Sequence, residues 1–176
     1  MKIEVLRIGQ RLVRDDRVTT HVALVSRAFG VSKILMQEVN PKIKNTIYEI
    51  NRAWGGTFEV EIIDSWKKTL KAKKKDSFKI VHLTMYGESI DSVQDKIRQE
   101  EQILIVVGAE KVPREVYDLA DYNVAVGNQP HSEISALAVL LDRVLQGKQF
   151  LKKHANAKQE IVPVKKGKKV IYKTID

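Results

Sequence analysis

The sequence predicts an α/β fold in which a mostly parallel β-sheet is covered by helices on both faces. Short, continuously apolar runs such as Ile103–Val107 alternate along the chain with longer segments of helical periodicity. Such alternation is typical of buried parallel strands joined by crossover helices. It ends near residue 148, where a lysine-rich stretch begins. We therefore expect one α/β domain in residues 1–150 and a basic tail in residues 151–176, which suits a chain of 176 residues.

The elements of this domain follow from the period of the apolar residues. Runs that are continuously apolar or that alternate predict six strands: Ile3–Ile8, Lys33–Gln37, Phe58–Ile63, Phe78–Leu83, Ile103–Val107 and Tyr122–Val126. Segments with apolar residues three and four positions apart predict six helices: Val18–Phe29, Lys42–Trp54, Trp66–Lys75, Ser89–Glu101, Pro113–Leu119 and Ser132–Leu145.

Residues with known end preferences bound several of these helices. Glycine, which tolerates left-handed backbone, stands at three expected stops: Gly30, Gly55–Gly56 and Gly147. Ser65 stands before the helix Trp66–Lys75 and Ser132 stands at the start of the last helix; at both positions a hydroxyl can accept a hydrogen bond from a free backbone N–H group. The short helix has proline at its first position, where the missing N–H group costs nothing.

The tail predicts a β-hairpin. Glu160–Val164 and Lys169–Lys173 are strand-like and are separated by a lysine-rich turn that contains Gly167. Because an isolated hairpin is only marginally stable in water, we expect it to pack on the body or on a second subunit.

The charge is markedly basic, at +9 from 31 Lys and Arg and 22 Asp and Glu. Nine lysines against two acidic residues lie between Lys148 and Asp176, and six more lysines lie in Trp66–Lys75. A basic surface favours a polyanionic partner, nucleic acid first and a membrane surface second. The alternative is a solvated, lysine-rich surface of a heat-stable protein.

Several classes of function are disfavoured. The chain has no cysteine, which excludes disulfides and thiolate metal sites and fits a reducing, cytoplasmic setting. It has no Gly-x-x-x-x-Gly-Lys-Ser/Thr motif and no Gly-x-Gly-x-x-Gly motif after the first strand, which disfavours NTPases and dinucleotide-dependent dehydrogenases. It also has no Gly-x-Ser-x-Gly elbow, which disfavours a serine nucleophile. The four histidines lack metal-ligand spacing, so we expect no metal. The start of the chain is charged rather than a signal peptide, and no apolar run approaches the roughly 20 residues of a membrane span.

Two polar loops that follow apolar strands are a candidate ligand-binding site. Gly108–Val112 allows close approach of the backbone, and Val126–Glu133 exposes main-chain groups beside the start of a helix. Strand ends that lie side by side are where open α/β sheets hold ligands, and main-chain N–H and C=O groups there can pair with an adenine edge. The alternative is that both are ordinary connectors, with Gly108 only a turn and Ser132 only a cap.

Four collinear motifs resemble those of one known family. They are Arg14–Val22 (RDDRVTTHV), His82–Glu88 (HLTMYGE), Val107–Pro113 (VGAEKVP) and Ala125–Glu133 (AVGNQPHSE). Together they resemble the archaeal tRNA cytidine-56 2′-O-methyltransferases, which belong to the SPOUT superfamily. The resemblance covers nearly the whole chain.

This resemblance implies a SPOUT-type α/β fold with a deep trefoil knot in the C-terminal part of the domain, an exception to unknotted topology. It also implies that S-adenosyl-L-methionine binds in a bent form in the knot. The implied cofactor-binding residues are Leu83, Gly108, Ala109, Glu110, Lys111, Val112, Val126, Gly127, Asn128, Gln129, Pro130, His131, Ser132 and Glu133. Glu110 can hold a ribose hydroxyl of the cofactor or merely pair with Lys111.

The family also works as a homodimer, and the helix Ser132–Leu145 is a candidate interface. Its apolar stripe is formed by Ile134, Leu137, Ala138, Leu141, Val144 and Leu145. The alternative is that this stripe packs on the sheet of its own chain.

The expected reaction moves a methyl group from sulfur to a ribose 2′-oxygen, which needs alignment and removal of the hydroxyl proton. Because the donor methyl is already electrophilic, this transfer needs no metal. The candidate catalytic residues are Arg17, His21 and Arg14. Arg17 and His21 are four residues apart and share one face of a helix.

Arginine clamps phosphate oxygens and histidine accepts protons near neutral pH. The resemblance to other SPOUT ribose methyltransferases is incomplete here, because Leu24 stands where their pattern has asparagine. Each candidate has an alternative: Arg14 a surface charge, Arg17 a partner of Asp15 or Asp16, and His21 a buried core residue.

The sequence thus predicts a cytoplasmic methyltransferase that uses S-adenosyl-L-methionine to modify the ribose of cytidine 56 in the T-loop of tRNA. Two alternatives stay open. One is a non-catalytic RNA-binding α/β module, and the other is a SPOUT methyltransferase that modifies a different RNA nucleotide.

Overall fold

The computed structural model describes residues 1–9, 15–37, 39–109 and 111–173. Its main sheet has six strands: β1 (Lys2–Ile8), β2 (Lys33–Gln37), β3 (Glu59–Ile63), β4 (Lys79–Ser89), β5 (Gln102–Gly108) and β6 (Tyr122–Ala125). The helices are α1 (Asp16–Ala28), α2 (Lys42–Trp54), α3 (Trp66–Lys75), α4 (Ile90–Arg98), α5 (Arg114–Leu119) and α6 (Glu133–Leu145). All the pairings in this sheet are parallel, in the order β3-β2-β1-β5-β4-β6.

Both faces of the sheet are covered, as the sequence predicts. Alternate residues of β5 point to opposite faces, so that Ile103 and Ile105 join one core and Leu104 and Val106 the other. The first core is completed by α1, α2, α4 and α6, and the second by α3 and α5. Among the described residues, no helix combines the length and apolar character that crossing a membrane requires.

The predicted helix ends are largely confirmed. Helix α1 ends at a glycine with φ +85, where the N–H groups of Gly30 and Val31 donate to the carbonyls of Arg27 and Ser26. The hydroxyl of Ser65 accepts from the backbone N–H of Lys68 at the start of α3.

Two other predicted bounds are wrong. Pro113 precedes α5 as its N-terminal cap instead of taking the first helical position, and the helix predicted to reach Glu101 ends at Arg98. The predicted end of α6 at Leu145 is confirmed, but the left-handed residue directly after it is Gln146. Gly147, also left-handed, instead introduces a 3₁₀ turn, Lys148–Leu151, which the sequence pattern did not predict.

Strand β4 is longer than predicted and packs closely against β6. It does not end at Leu83: after a bulge at residues 84–87 it resumes, and Val124 of β6 is in register with both Leu83 and Glu88. A Cβ atom on Gly87 would lie 2.4 Å from the carbonyl carbon and oxygen of Asn123. The two backbone segments therefore touch. The trefoil knot implied by the resemblance concerns this part of the chain and stays a prediction.

The tail forms the predicted hairpin, with β7 (Gln159–Ile161) antiparallel to β8 (Val170–Tyr172). Its base is attached to the end of α2, because the N–H of Gly56 donates to the carbonyl of Ala155 at 2.9 Å and the N–H of Lys158 donates to that of Ala53 at 3.0 Å. The tail therefore packs on the body, although Ile161, Ile171 and Tyr172 are exposed.

Candidate active site

A cavity of about 580 Å³ opens at the carboxyl ends of three neighbouring strands, β5, β4 and β6. This is the edge at which parallel α/β sheets bind ligands. Its walls come from the bulge of β4, the loop after β5, helix α5, the loop after β6 and the start of α6. The lining residues are His82, Leu83, Thr84, Met85, Tyr86, Gly108, Ala109, Lys111, Val112, Tyr117, Val124, Val126, Gln129, Pro130, His131, Ser132, Glu133 and Ala136.

The loop between β6 and α6 is held by its own side chains. One ring nitrogen of His131 lies 2.6 Å from the carbonyl oxygen of Val126, and the other lies 3.1 Å from that of Ser132. The Asn128 amide donates to the carbonyl of Met85 at 2.7 Å, which ties the loop to the β4 bulge. The predicted cap is confirmed, since the hydroxyl of Ser132 accepts from the backbone N–H of Ile134. These contacts shape one wall of the cavity.

Most residues expected to bind the cofactor line this cavity: Leu83, Gly108, Ala109, Lys111, Val112, Val126, Gln129, Pro130, His131, Ser132 and Glu133. Gly127 and Asn128 do not. Gly127 forms the turn of the loop with φ +73, and the Asn128 side chain is engaged by Met85. Glu110 lies outside the described residues.

A polar network that the sequence pattern did not predict forms the wall beside α5. The Asn123 amide N–H donates to the carbonyl of Tyr117 at 3.0 Å, and its oxygen lies 2.8 Å from Nδ1 of His82. The Tyr117 hydroxyl lies 3.1 Å from that of Thr84, and the rings of Tyr117 and His82 meet edge to face at 4.6 Å.

His82 is fully buried. Burial lowers its pKa, and the hydrogen bond with Asn123 opposes that effect in part. The sequence signal for this residue was weak: His82 belongs to one of the four motifs, but only the fold brings it to Tyr117.

A buried arginine connects the cavity to the first strand–helix connection. Arg7 is 1% exposed, and its guanidinium lies 3.3 Å from a carboxylate oxygen of Glu133. It also donates to the carbonyl of Gly9 at 3.1 Å. The only sequence signal for this residue was an arginine inside a strand that is mostly apolar but also contains Glu4. A charged side chain at a buried strand position needs such partners.

The candidate catalytic residues lie elsewhere. Arg17 and His21 are exposed on successive turns of α1, and neither lines the cavity. The interpretation of His21 as a buried core residue is therefore wrong. Among the described residues, no ion pair joins Arg17 to Asp15 or Asp16. Arg14 lies outside the described residues.

The family of this chain follows from its similarity to known proteins. The model of the family described as "tRNA ribose 2'-O-methyltransferase, aTrm56" matches residues 54–171. This chain belongs to the tRNA ribose 2′-O-methyltransferase family. The three strands whose carboxyl ends border the cavity, β4, β5 and β6, all lie within the matched segment of this family member.

Three similar relatives are each named tRNA (cytidine(56)-2'-O)-methyltransferase. The protein of Nitrosopumilus maritimus is 68% identical over 97% of this chain and 96% of its own. That of Cenarchaeum symbiosum is 60% identical over 97% of both chains, and that of Thermococcus kodakarensis is 55% identical over 96% of both.

Solved structures agree on the fold, that of the SPOUT methyltransferases. An RNA 2′-O ribose methyltransferase matches with a TM-score of 0.62 at 15% identity, over 86% of this chain and 57% of that one. The SpoU methyltransferase AviRb of Streptomyces viridochromogenes, in complex with AdoMet, matches with a TM-score of 0.59 at 10% identity, over 83% and 57%. This family member thus spans little more than half of each solved chain.

Proposed function

We propose that this chain transfers a methyl group from S-adenosyl-L-methionine to the ribose 2′-oxygen of cytidine 56 in the T-loop of tRNA. The observation that carries the proposal is the 68% identity, over 97% of the chain, to a relative named for this reaction. The cavity at the carboxyl ends of β5, β4 and β6 supplies a site of suitable kind, since small-molecule sites are concave and occupy roughly 300–1,000 Å³.

The residues of the cavity fit an adenosyl ligand. Leu83, Val112, Val126 and Ala136 provide apolar walls. The loop backbone at Gly108–Ala109 and at 126–133 offers N–H and C=O groups to polar edges of a base. When bound, the cofactor supplies a methyl carbon activated by a positively charged sulfur. The chain's own task is then to orient the two reactants and to exclude water.

The substrate side of the reaction is assigned to α1. Arg17 would hold an RNA phosphate and favour loss of the 2′-hydroxyl proton, with His21 as the group that accepts or relays it. Arg14 would add a second positive charge. Because Arg17 and His21 lie outside the cavity of their own chain, we propose that a homodimer brings α1 of one subunit to the cavity of its partner.

Half of the apolar stripe of α6 packs inside its own chain. Leu137, Leu141 and Val144 are buried in the core of their own chain, beside Leu140 of the neighbouring face. Ile134, Ala138 and Leu145 of the stripe are only half-buried, and Val139 of the same helix is 38% exposed. The proposed interface would use these residues together with other surfaces.

The tRNA is assigned to the basic surface of α3 and the tail. Lys68, Lys71 and Lys75 are exposed and lie along one face of α3. In the part of the chain that the structure describes, no carboxylate pairs with them. Lys67, by contrast, pairs with Glu115 of α5 at 2.8 Å. The free lysines would contact phosphates and position the tRNA without reading its sequence.

The direct test is methylation of an unmodified T-loop tRNA with isotopically labelled S-adenosyl-L-methionine, followed by nuclease digestion and mass spectrometry. We expect the label on the ribose of cytidine 56. Label on a base, or on the ribose of another nucleotide, contradicts the proposal. We expect the reaction to take place in the cytoplasm. Binding of tRNA without saturable binding of the cofactor would instead identify an RNA-binding module.

A further inference from the structure

The imidazole of His82 is fully buried in the wall of the cavity. No hydrogen-bond partner for its Nε2 atom exists among the described residues. A buried polar atom without a partner costs stability, and such atoms are rare in folded proteins. Because this one belongs to a residue that lines a ligand cavity, the ligand is the natural source of its partner.

The neighbours of His82 determine which ring nitrogen carries the proton. The Asn123 amide N–H donates to the carbonyl of Tyr117, and a carbonyl can only accept. The amide oxygen of Asn123 therefore faces His82, at 2.8 Å from Nδ1. Since that oxygen also only accepts, Nδ1 must carry the hydrogen.

In the neutral ring, the other nitrogen then presents a lone pair. Neutrality is favoured because burial lowers the pKa of His82. The ring orientation is fixed by the same hydrogen bond and by the edge-to-face contact with Tyr117. The result is a rigid acceptor in a cavity wall that also contains polar side chains such as Thr84, Tyr117 and Gln129.

We infer that Nε2 of His82 accepts a hydrogen bond from an N–H or O–H group of the adenosyl ligand, and so helps to select and orient it. This inference rests on the proposed function, because it takes the ligand to be S-adenosyl-L-methionine or its product. The donor is either on the adenosine part or is the ammonium group of the amino-acid part.

Two substitutions test the Nδ1 donor and the Nε2 acceptor of His82 separately. His82→Asn retains a donor at the position of Nδ1 and removes the acceptor, whereas His82→Gln retains an acceptor near the position of Nε2. Calorimetry with S-adenosylhomocysteine should show weaker binding to His82→Asn than to wild type by about threefold to tenfold. His82→Gln should recover most of the loss. Thermal unfolding of both variants without ligand provides the structural control.

A second ligand shows which part of the cofactor carries the hydrogen-bond donor. 5′-Methylthioadenosine lacks the amino-acid ammonium group. If its affinity falls in His82→Asn by the same factor, the donor is on adenosine. If the factor appears only with S-adenosylhomocysteine, the donor is the ammonium group.

Equal affinity of wild type and both variants for S-adenosylhomocysteine overturns the inference, as does an equal loss in both that follows their loss of thermal stability. The proposed cofactor stands in both cases. Failure of wild type to bind S-adenosylhomocysteine overturns the proposed cofactor itself. If His82→Asn does not fold, the ¹⁵N resonance of Nε2 in the wild-type protein decides: it should shift on addition of S-adenosylhomocysteine, and an unchanged resonance overturns the inference.

Discussion

Gly87 allows β4 to pack closely against β6, because the space beside its Cα atom is too small for a side chain. A Cβ atom here would lie 2.4 Å from backbone atoms of Asn123 and 2.5 Å from the nitrogen of Val124. Backbone atoms cannot move aside as a flexible side chain can. The sequence suggested only that Thr84–Gly87 ends a strand, because a contact between residues more than thirty positions apart leaves no local pattern.

We predict that Gly87→Ala lowers the free energy of unfolding by about 1–3 kcal/mol, as overpacking in a core does. Urea unfolding followed by circular dichroism measures the change. The control is Gly167→Ala, where φ is +91 but no atom lies within 4 Å, so only backbone strain is added. A loss no larger than that of the control contradicts the close approach of the two backbones as the cause.

His154 makes stability depend on pH. Its pKa is lowered, first by burial and then by the positive charges of Arg27 and Lys152. A histidine whose pKa is lower in the folded protein than in the unfolded chain stabilises fully above an unfolded pKa of about 6.5. That contribution is lost as the pH falls below this value.

We therefore predict that the protein is less stable at pH 5 than at pH 7.5, and that His154→Gln reduces the difference. His82, whose pKa is also lowered, retains its own share of the pH dependence in that variant. Chemical unfolding at the two pH values measures both effects. The same pH dependence in wild type and variant would show that His154 does not contribute.

Among the elements, α3 shows how far local sequence determines where a helix begins and ends. Its bounds agree with the prediction because Ser65 caps its start and its lysines tolerate solvent. What the sequence did not reveal is which lysines are free. Lys67 pairs with Glu115 and Lys73 with Glu4, and both partners are distant in the chain.

We predict that replacing Lys68, Lys71 and Lys75 by Gln weakens tRNA binding and lowers its salt dependence. The slope of log affinity against log salt should fall by about one for each phosphate that the variant no longer neutralises. The matched control replaces Lys67 and Lys74, which are already ion-paired with Glu115 and Asp121, and should have a smaller effect per charge. Filter binding at several salt concentrations distinguishes the two sets.

Other element ends were predictable only in part. The glycine stop of α1 has a local cause, a left-handed residue after the helix, and was found at Gly30. The end of α6 at Leu145 was also found, but not the residue that terminates the helix: Gln146 adopts the left-handed conformation at a cost of about 1 kcal/mol, which the contacts of α6 offset. Local sequence indicates which residues prefer helix ends, but tertiary packing can place another residue there.

At the scale of the whole molecule, the α/β class followed from alternation of periodicities, but the strand order β3-β2-β1-β5-β4-β6 did not. That order places the ends of β5, β4 and β6 together and thereby builds the cavity. The two predicted loops lie in it because they follow β5 and β6. His82 and Tyr117 could not be placed there, since only the sheet order and α5 bring them together.

The proposed homodimer predicts complementation between two damaged subunits. Arg17→Ala should remove the substrate side and Val126→Trp should block the cavity, so each homodimer should be inactive. Mixed subunits should recover up to about a quarter of wild-type methylation, because half of random dimers are mixed and each has one intact site. No recovery after verified subunit exchange, or an active monomer, contradicts the arrangement.

The cavity also has a consequence for how the protein is made. Its walls extend from His82 to Ala136, and α6, which holds the last of them, packs on α1 and α4. A nascent chain that still has α6 inside the ribosome lacks one wall, however well β1 to β3 have formed. The proposed binding of the methyl donor would therefore stabilise only chains synthesised past α6, so that the cell's supply of this metabolite would protect finished molecules and not partial ones.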